Sequence, residues 1–327
     1  MNLKHIVLVI TFIQSTSVVL VERGIYFYTE KFFHFEKIHN LLLAFLFGLC
    51  YAASAVFTHK LTSRFGEKNY LTACLLIQFP MLAMLLAGNI PMLVLGTVFS
   101  AFLYGTMWPV IESYMVSGDT PDVALKSVGG FNISWSFSAP IALLAAGFLI
   151  DLNHWALFAA AGILTIAALT LTTQLPARPV HLSEDHPARP DETILSDYGT
   201  LLVAARWLMF LSYALLWILA AILPIIFNRL HVQVSYASPL SAVIDVMRAV
   251  MFLLCQFWTG WHGKKAPLWM VIFFLPAGFI LATFGGNLAL IIVGEIFFGM
   301  AAGMCYYASL YYAMVIKHAS VEAGGAH

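Results

Sequence analysis

"LPARPVHLSEDHPARPDETILSDYG", residues 175–199, decides how the rest of the chain is read. It is rich in Pro, Asp and Glu and has no helical apolar period, so it reads as a polar, flexible linker. Its surroundings are the opposite: the 327 residues are 61% hydrophobic and 10% charged, with a mean hydropathy of +0.88. Soluble domains carry roughly 25% charged residues, so the solvent of this chain is a lipid bilayer.

Working outward, six apolar runs precede the linker, at 4–28, 40–58, 70–88, 92–116, 127–150 and 153–175. Four follow it, at 200–227, 238–258, 267–285 and 288–316. Each is near the ~20 residues that cross a hydrocarbon core of about 30 Å. The expected fold is an all-α polytopic membrane bundle of about ten transmembrane helices. The expected domains are a six-helix half over 1–175, a linker over 176–199, and a four-helix, truncated half over 200–327. Lys4 precedes the first run without a small-residue cleavage pattern, so that run reads as a span and not as a removable signal.

Loop charge orients the spans. With the N-terminus inside, Lys4, Lys60, Arg64, Lys68, Lys126, Arg178, Arg189, Arg206, Lys264, Lys265 and Lys317 fall on one side. Only Lys31, Lys37 and Arg229 fall on the other, and Arg23 and Arg248 lie within spans. The bias predicts cytoplasmic termini, in a membrane of the bacterial inner (plasma) membrane type. A formal net charge of zero gives no basic surface for nucleic acid. Cys50, Cys74, Cys255 and Cys305 sit inside apolar runs without paired spacing, so neither a disulfide framework nor a metal site is expected, and no cofactor.

The chain also repeats itself. A shift of 198 residues brings Gly96 onto Gly294, Phe99 onto Phe297, Gly105 onto Gly303 and Tyr114 onto Tyr312. A shift of 197 brings the loop "LTSRFGEKNYL" onto "WTGWHGKKAPL", matching Thr62 to Thr259, Gly66 to Gly263 and Lys68 to Lys265. Two nearly equal offsets in corresponding places point to duplicated halves of parallel topology.

Six spans, a linker and a second copy of the same plan resemble the major facilitator superfamily. The segment "THKLTSRFGEKNYL" (58–71) is similar to that superfamily's G-x-L-x-D-R-x-G-R-R/K loop. Arg64, Gly66 and Lys68 fit it; Leu61 sits one residue late, Ser63 stands for the aspartate and Thr58 for the first glycine. "ERGIYFY" (22–28) is similar to the E-x-x-E-R-F-x-Y-Y motif of proton-dependent oligopeptide transporters, with Glu22, Arg23, Tyr26 and Phe27 aligned. Val19 and Gly24 replace that motif's first glutamate and its phenylalanine. Antiporter signatures are eroded: Ala101 stands where an arginine is expected, and Pro140 alone survives of the fifth-span pattern.

The resemblance implies a secondary active transporter, not an enzyme, moving a small organic solute by alternating access, with proton-coupled symport preferred. It implies a cavity lined by the first, fourth, seventh and tenth helices, which carry Glu22, Glu112 and Glu295. The superfamily has twelve spans, so ten leave a flank to be covered by lipid, a second copy or partner helices. The alternative reading is a transporter-derived scaffold, sensor or assembly partner.

A charge at the bilayer centre costs roughly 2.5–3.5 kcal/mol on insertion scales, so each intramembrane charge asks for a partner or a task. A carboxyl group facing a cavity can load a proton on one side and release it on the other. Glu22, Glu295 and Asp245 are the proton-coupling candidates. Arg23 is a candidate for a substrate anion or for a partner on another helix, such as Asp245 or Glu295. Asp245 and Arg248, three residues apart, share a helix face and equally read as a structural ion pair. Glu112 reads as a structural or gate charge near the cytoplasmic end, together with Arg64, Gly66 and Lys68. Tyr26, Asn132, Trp135, Tyr306 and Tyr307 are substrate-contact candidates, with helix-packing the competing role for Asn132 and Trp135. Tyr311 and Tyr312 read as an interfacial belt.

Overall fold

In a computed structural model, residues 2–119, 121–180 and 192–316 are described. Arg189, Lys317, His318 and linker residues 181–191 lie outside them. The helices are α1 (Leu3–Glu22), α2 (Gly24–Phe33), α3 (Lys37–Ala55), α4 (Thr58–Phe65), α5 (Glu67–Leu85), α6 (Ile90–Met115), α7 (Pro121–Leu152) and α8 (Ala156–Thr172) before the linker. After it come α9 (Glu192–Arg229), α10 (Val234–Ser241), α11 (Val243–Phe257), α12 (Ala266–Phe284) and α13 (Leu288–Ile316). Among the described residues nine spans are long and apolar enough to cross a membrane, with α1–α2 and α10–α11 each forming one broken span. The tenth, α8, is apolar but only 17 residues long. Helix α9 starts at Glu192, earlier than the expected boundary at 200, because no proline interrupts the chain between Pro190 and Pro224.

The chain crosses back and forth, so Leu3 and the α3–α5, α6–α7 and α11–α12 connections share one face, called here the near face. Phe33 and the α5–α6, α7–α8, α9–α10 and α12–α13 connections share the far face. Exposed Val203, Trp207 and Phe210 on α9, and Trp269 and Phe273 on α12, form an apolar outer surface suited to lipid.

The repeat is visible in the packing. A Cβ on Gly105 would strike the Tyr51 carbonyl of α3, and one on Gly303 would strike the Arg248 carbonyl of α11. Gly96 faces α5 and Gly294 faces α12 in the same corresponding way. Small residues let helix backbones approach closely where lipid offers no hydrophobic drive for association. The loop equivalents Gly66 and Gly263 both adopt positive φ, 78° and 67°, a backbone region that favours glycine. Polar side chains add to the first half: Gln14 Nε2 donates to Gln78 Oε1 at 2.9 Å, and Thr165 Oγ1 donates to the same oxygen at 3.1 Å.

The halves differ in one respect. Helix α1 packs on α7 and α8, whereas α9 packs directly on α12 and α13. Between the halves, α7 meets α10 and α11, and α3 meets α9. Gly147 lets the Val234 carbonyl touch α7, Ser238 Oγ donates to the Leu143 carbonyl at 2.6 Å, and Phe47 packs on Trp217 at 4.9 Å between ring centres.

Candidate functional site

Two broken helices bring the site together. The first span is interrupted at Arg23, between α1 and α2, and the eighth at Ala242, between α10 and α11. Gly24 and Pro239 supply weak points in the helical ladder at these places. Arg23 Nη1 donates across the two halves to Asp245 Oδ2 at 3.3 Å, and Arg248 Nη2 donates to Asp245 Oδ1 at 2.7 Å. Asp245 has no solvent-accessible side-chain surface, and its two arginines are nearly as buried. A buried charge stripped of water needs such partners, since one left alone costs several kcal/mol. Arg23 is therefore committed to an inter-half ion pair and is not presented as a free anion anchor.

Glu22 points elsewhere, because adjacent helical residues diverge by about 100°. It lies within electrostatic reach of Arg23, Arg248 and Asp245 but bonds to none of them. Glu295, on α13, is fully buried, and neither of its oxygens has a hydrogen-bond partner among the described residues. Arg23 and Asp245 are again the charges within its reach.

Glu22, Tyr51, Glu112, Tyr213 and Tyr306 are half-buried within the bundle. Glu22 lies eleven residues from the far end of α2 and Glu112 lies 22 residues from the far end of α6. At 1.5 Å per residue, Glu112 sits about 16 Å nearer the near face. Tyr51 is within electrostatic reach of both carboxylates.

An aromatic wall joins the halves. Trp135 meets Tyr306 edge-on at 5.5 Å and Phe252 at 5.7 Å, while the Arg248 guanidinium lies 4.8 Å from its ring centre. The Trp135 indole donates to Asn132 Oδ1 at 2.9 Å, and the Tyr306 hydroxyl donates to the same oxygen at 3.5 Å. The amide nitrogen of Asn132 is left buried without a partner among the described residues. Tyr307 donates to Gln256 Oε1, and the buried Tyr26 hydroxyl has no partner among the described residues.

The remaining expectations fall away from this centre. Arg64 is exposed at the near face; Lys68 Nζ instead binds the end of α8, donating to the carbonyls of Thr173 at 2.7 Å and Leu175 at 2.6 Å. Tyr312 is buried, accepts from the Gly263 amide at 3.2 Å and packs on Trp261, so it is no belt residue. Beside it, Tyr311 stacks on His262 at 4.1 Å, and burial pushes that imidazole below its ordinary pKa. No group of three or more metal-ligating side chains occurs among the described residues. Tyr51, Tyr213 and Gln256 were not marked out by the sequence, because an uncharged residue on a greasy helix carries no signal of which face it presents.

Comparison with known proteins places this geometry. A family model described as Major Facilitator Superfamily matches residues 8–326. No curated protein is recognisably similar in sequence. Among solved structures, the nucleoside transporter NupG is similar with a TM-score of 0.70 at 15% identity, over 99% of this chain and 89% of that one. A D-xylose-proton symporter gives 0.70 at 13% identity, over 98% and 85%. A bacterial homologue of the human lysosomal transporter Spinster, in an inward-facing and unoccupied conformation, gives 0.66 at 19% identity, over 95% and 73%. At these identities the likeness is one of fold.

Proposed function

Because this chain belongs to the Major Facilitator Superfamily, we propose that it is a secondary active transporter, not an enzyme, that moves a small organic solute by alternating access with proton symport. The observation that carries the reading is the buried Arg23–Asp245 pair across the two halves, with Glu295, which has no hydrogen-bond partner among the described residues, in its electrostatic reach. Opening the far side separates the halves, and with them this pair. Asp245 then keeps only Arg248, and the charges that surround Glu295 change. A carboxyl group whose neighbourhood alternates in this way binds a proton in one state and gives it up in the other.

Glu295 is the proton site because it is shut off from solute-sized molecules. Glu22 is the half-buried carboxylate that shares its arginine and aspartate neighbours. The charge asymmetry of the loops supports a cytoplasmic near face, with both termini on that side, in a membrane of the bacterial inner (plasma) membrane type.

The test is solute-driven proton uptake into liposomes containing the full chain. Glu295→Gln is expected to abolish proton movement while leaving the protein folded. Proton uptake unchanged in that variant, or no proton movement with any solute of a broad panel, would sink the reading.

A further inference from the structure

We propose that the solute is a small carboxylate with a flat body, its acid group seated beside Trp135 between the Arg248 guanidinium of one half and the Asn132 amide of the other. This rests on the transporter reading above and names the chemistry of the same site. The argument starts from two donors left over at the seam between the halves. Arg248 gives Nη2 to Asp245, but its Nε is buried with no hydrogen-bond partner among the described residues. Asn132 accepts from Trp135 and Tyr306 through Oδ1, and its amide nitrogen is likewise buried without a partner there. The two residues are only 5% and 1% exposed, and a buried donor with nothing to bond is costly. Trp135 ties both to one place: its indole donates to Asn132 at 2.9 Å, and the Arg248 guanidinium lies 4.8 Å from its ring centre. Two spare N–H donors on opposite sides of one ring suit an acceptor group with two oxygens, which a carboxylate is.

Charge decides between a carboxylate and a neutral acceptor. The buried cluster sets two guanidiniums, Arg23 and Arg248, against the single carboxylate of Asp245 that bonds to them. Glu22, within electrostatic reach of both arginines and bonded to neither, balances the second positive charge from a distance. The other ionisable side chains close by, Tyr26, Tyr213 and Cys305, are uncharged near neutral pH. An anion bonded to Arg248 Nε takes over the task of Glu22 at hydrogen-bonding range, so the solute and Glu22 compete for the same positive charge. A proton on Glu295, which has Arg23 and Asp245 in its reach, takes one negative charge out of the cluster and so favours the incoming anion. Proton and carboxylate therefore load together, as symport requires. The rings beside the donors suit a flat body: Trp135 and Tyr306 are half-buried and meet edge-on at 5.5 Å, and half-buried Tyr213 lies 6.0 Å from Tyr306.

The experiment is equilibrium binding to the purified full chain, read by intrinsic tryptophan fluorescence, with three probes of matched size: 3-phenylpropionate, 3-phenylpropionamide and phenethylammonium. The carboxylate is expected to bind about tenfold or more tightly than either of the others. Arg248→Gln and Asn132→Leu should each remove most of that preference. Glu22→Gln should strengthen carboxylate binding about threefold or more, because it takes away the competing counter-charge, and a misfolded protein does not give that gain. Tightest binding of the ammonium or the amide, equal binding of all three, no binding of any, a preference that survives Arg248→Gln or Asn132→Leu, or carboxylate binding that does not rise in Glu22→Gln would overturn the proposal. The two readings fail separately: a neutral or cationic solute that drives proton uptake refutes the carboxylate and keeps the carrier, whereas carboxylate-selective binding with no proton movement does the reverse.

Discussion

Arg23 and Asp245 lie 222 positions apart in sequence and 3.3 Å apart in space, each beside a break in its membrane helix. Discontinuous helices are where membrane carriers expose backbone and charge at mid-bilayer depth. Here the two breaks face each other across the halves, so the pair reports directly on whether the halves are together. Asp245 serves two arginines, and this asymmetry fixes the order of mutational effects.

Asp245→Asn leaves two buried guanidinium groups with no carboxylate, and breaking a buried pair from one side costs about 3–5 kcal/mol. Arg23→Gln leaves Asp245 still paired with Arg248, so its cost is smaller. Thermal melting in detergent should rank the variants wild type, then Arg23→Gln, then Asp245→Asn in falling stability. Equal melting temperatures for the two variants would refute a shared carboxylate.

Glu295→Gln should separate stability from transport. Its oxygens have no bonding partner among the described residues, so the amide forfeits no observed hydrogen bond and the stability change should stay within about 1 kcal/mol. Proton uptake, by contrast, should be lost. A melting temperature that falls as far as that of Asp245→Asn would mark Glu295 as a structural residue.

The apolar helical bundle and the glycines that repeat between its two parts were legible in the sequence, because length, hydropathy and spaced glycines survive without any knowledge of neighbours. Gly66 and Gly263 match in the alignment and share positive φ; Gly105 and Gly303 match and each admits a neighbouring backbone. The charged residues were legible too, since a bilayer makes every one conspicuous. Their partners were not. That Arg23 bonds to Asp245 while Glu295 has no hydrogen-bond partner among the described residues depends on helix rotation and on two breaks whose signals, Gly24 and Pro239, are common in membrane helices for other reasons. The contact of Lys68 was hidden differently: its side chain holds two carbonyls just past the end of α8, a tertiary contact over more than a hundred residues that the loop motif does not announce.

Substitutions at the paired glycines should act through the helices they admit. Gly303→Leu would push α11 away at Arg248 and Met251, and overpacking of this kind costs typically 1–3 kcal/mol. It should also lower transport, because Arg248 is carried with α11. Gly48→Leu, at a site with nothing within 4 Å, is the control and should melt like wild type. Both the loss and its absence are read by melting in the same detergent.

His262 gives the near face a pH dependence. Its pKa is lowered by burial against Tyr311, so the unfolded chain takes up a proton there more readily than the folded one. Its contribution to stability is complete above the ordinary histidine value of about 6.5 and is lost as the pH falls below it. Melting temperatures at pH 7.5 and 5.5 should therefore differ more for wild type than for His262→Phe, which keeps the ring stack and removes the titration. An identical pH response in the two proteins would remove His262 from the account.

A covalent bridge across the far face tests the motion itself. Asn228 donates to Glu30 there, joining α9 to α2, and on the same face the Ser235 amide donates to Asp151 at 3.1 Å. Alternating access requires these inter-half contacts to part once per cycle. In the double variant Glu30→Cys, Asn228→Cys, oxidation should stop solute flux in liposomes, and reduction should restore it. Cys74, Cys255 and Cys305 are buried and Cys50 is half-buried, so the single-cysteine variants serve as controls for adventitious coupling. Binding of a solute from the near side should survive the bridge, because alternating access needs the far side shut while the near side is open. Undiminished flux through the cross-linked protein would mean that the far face is not a gate.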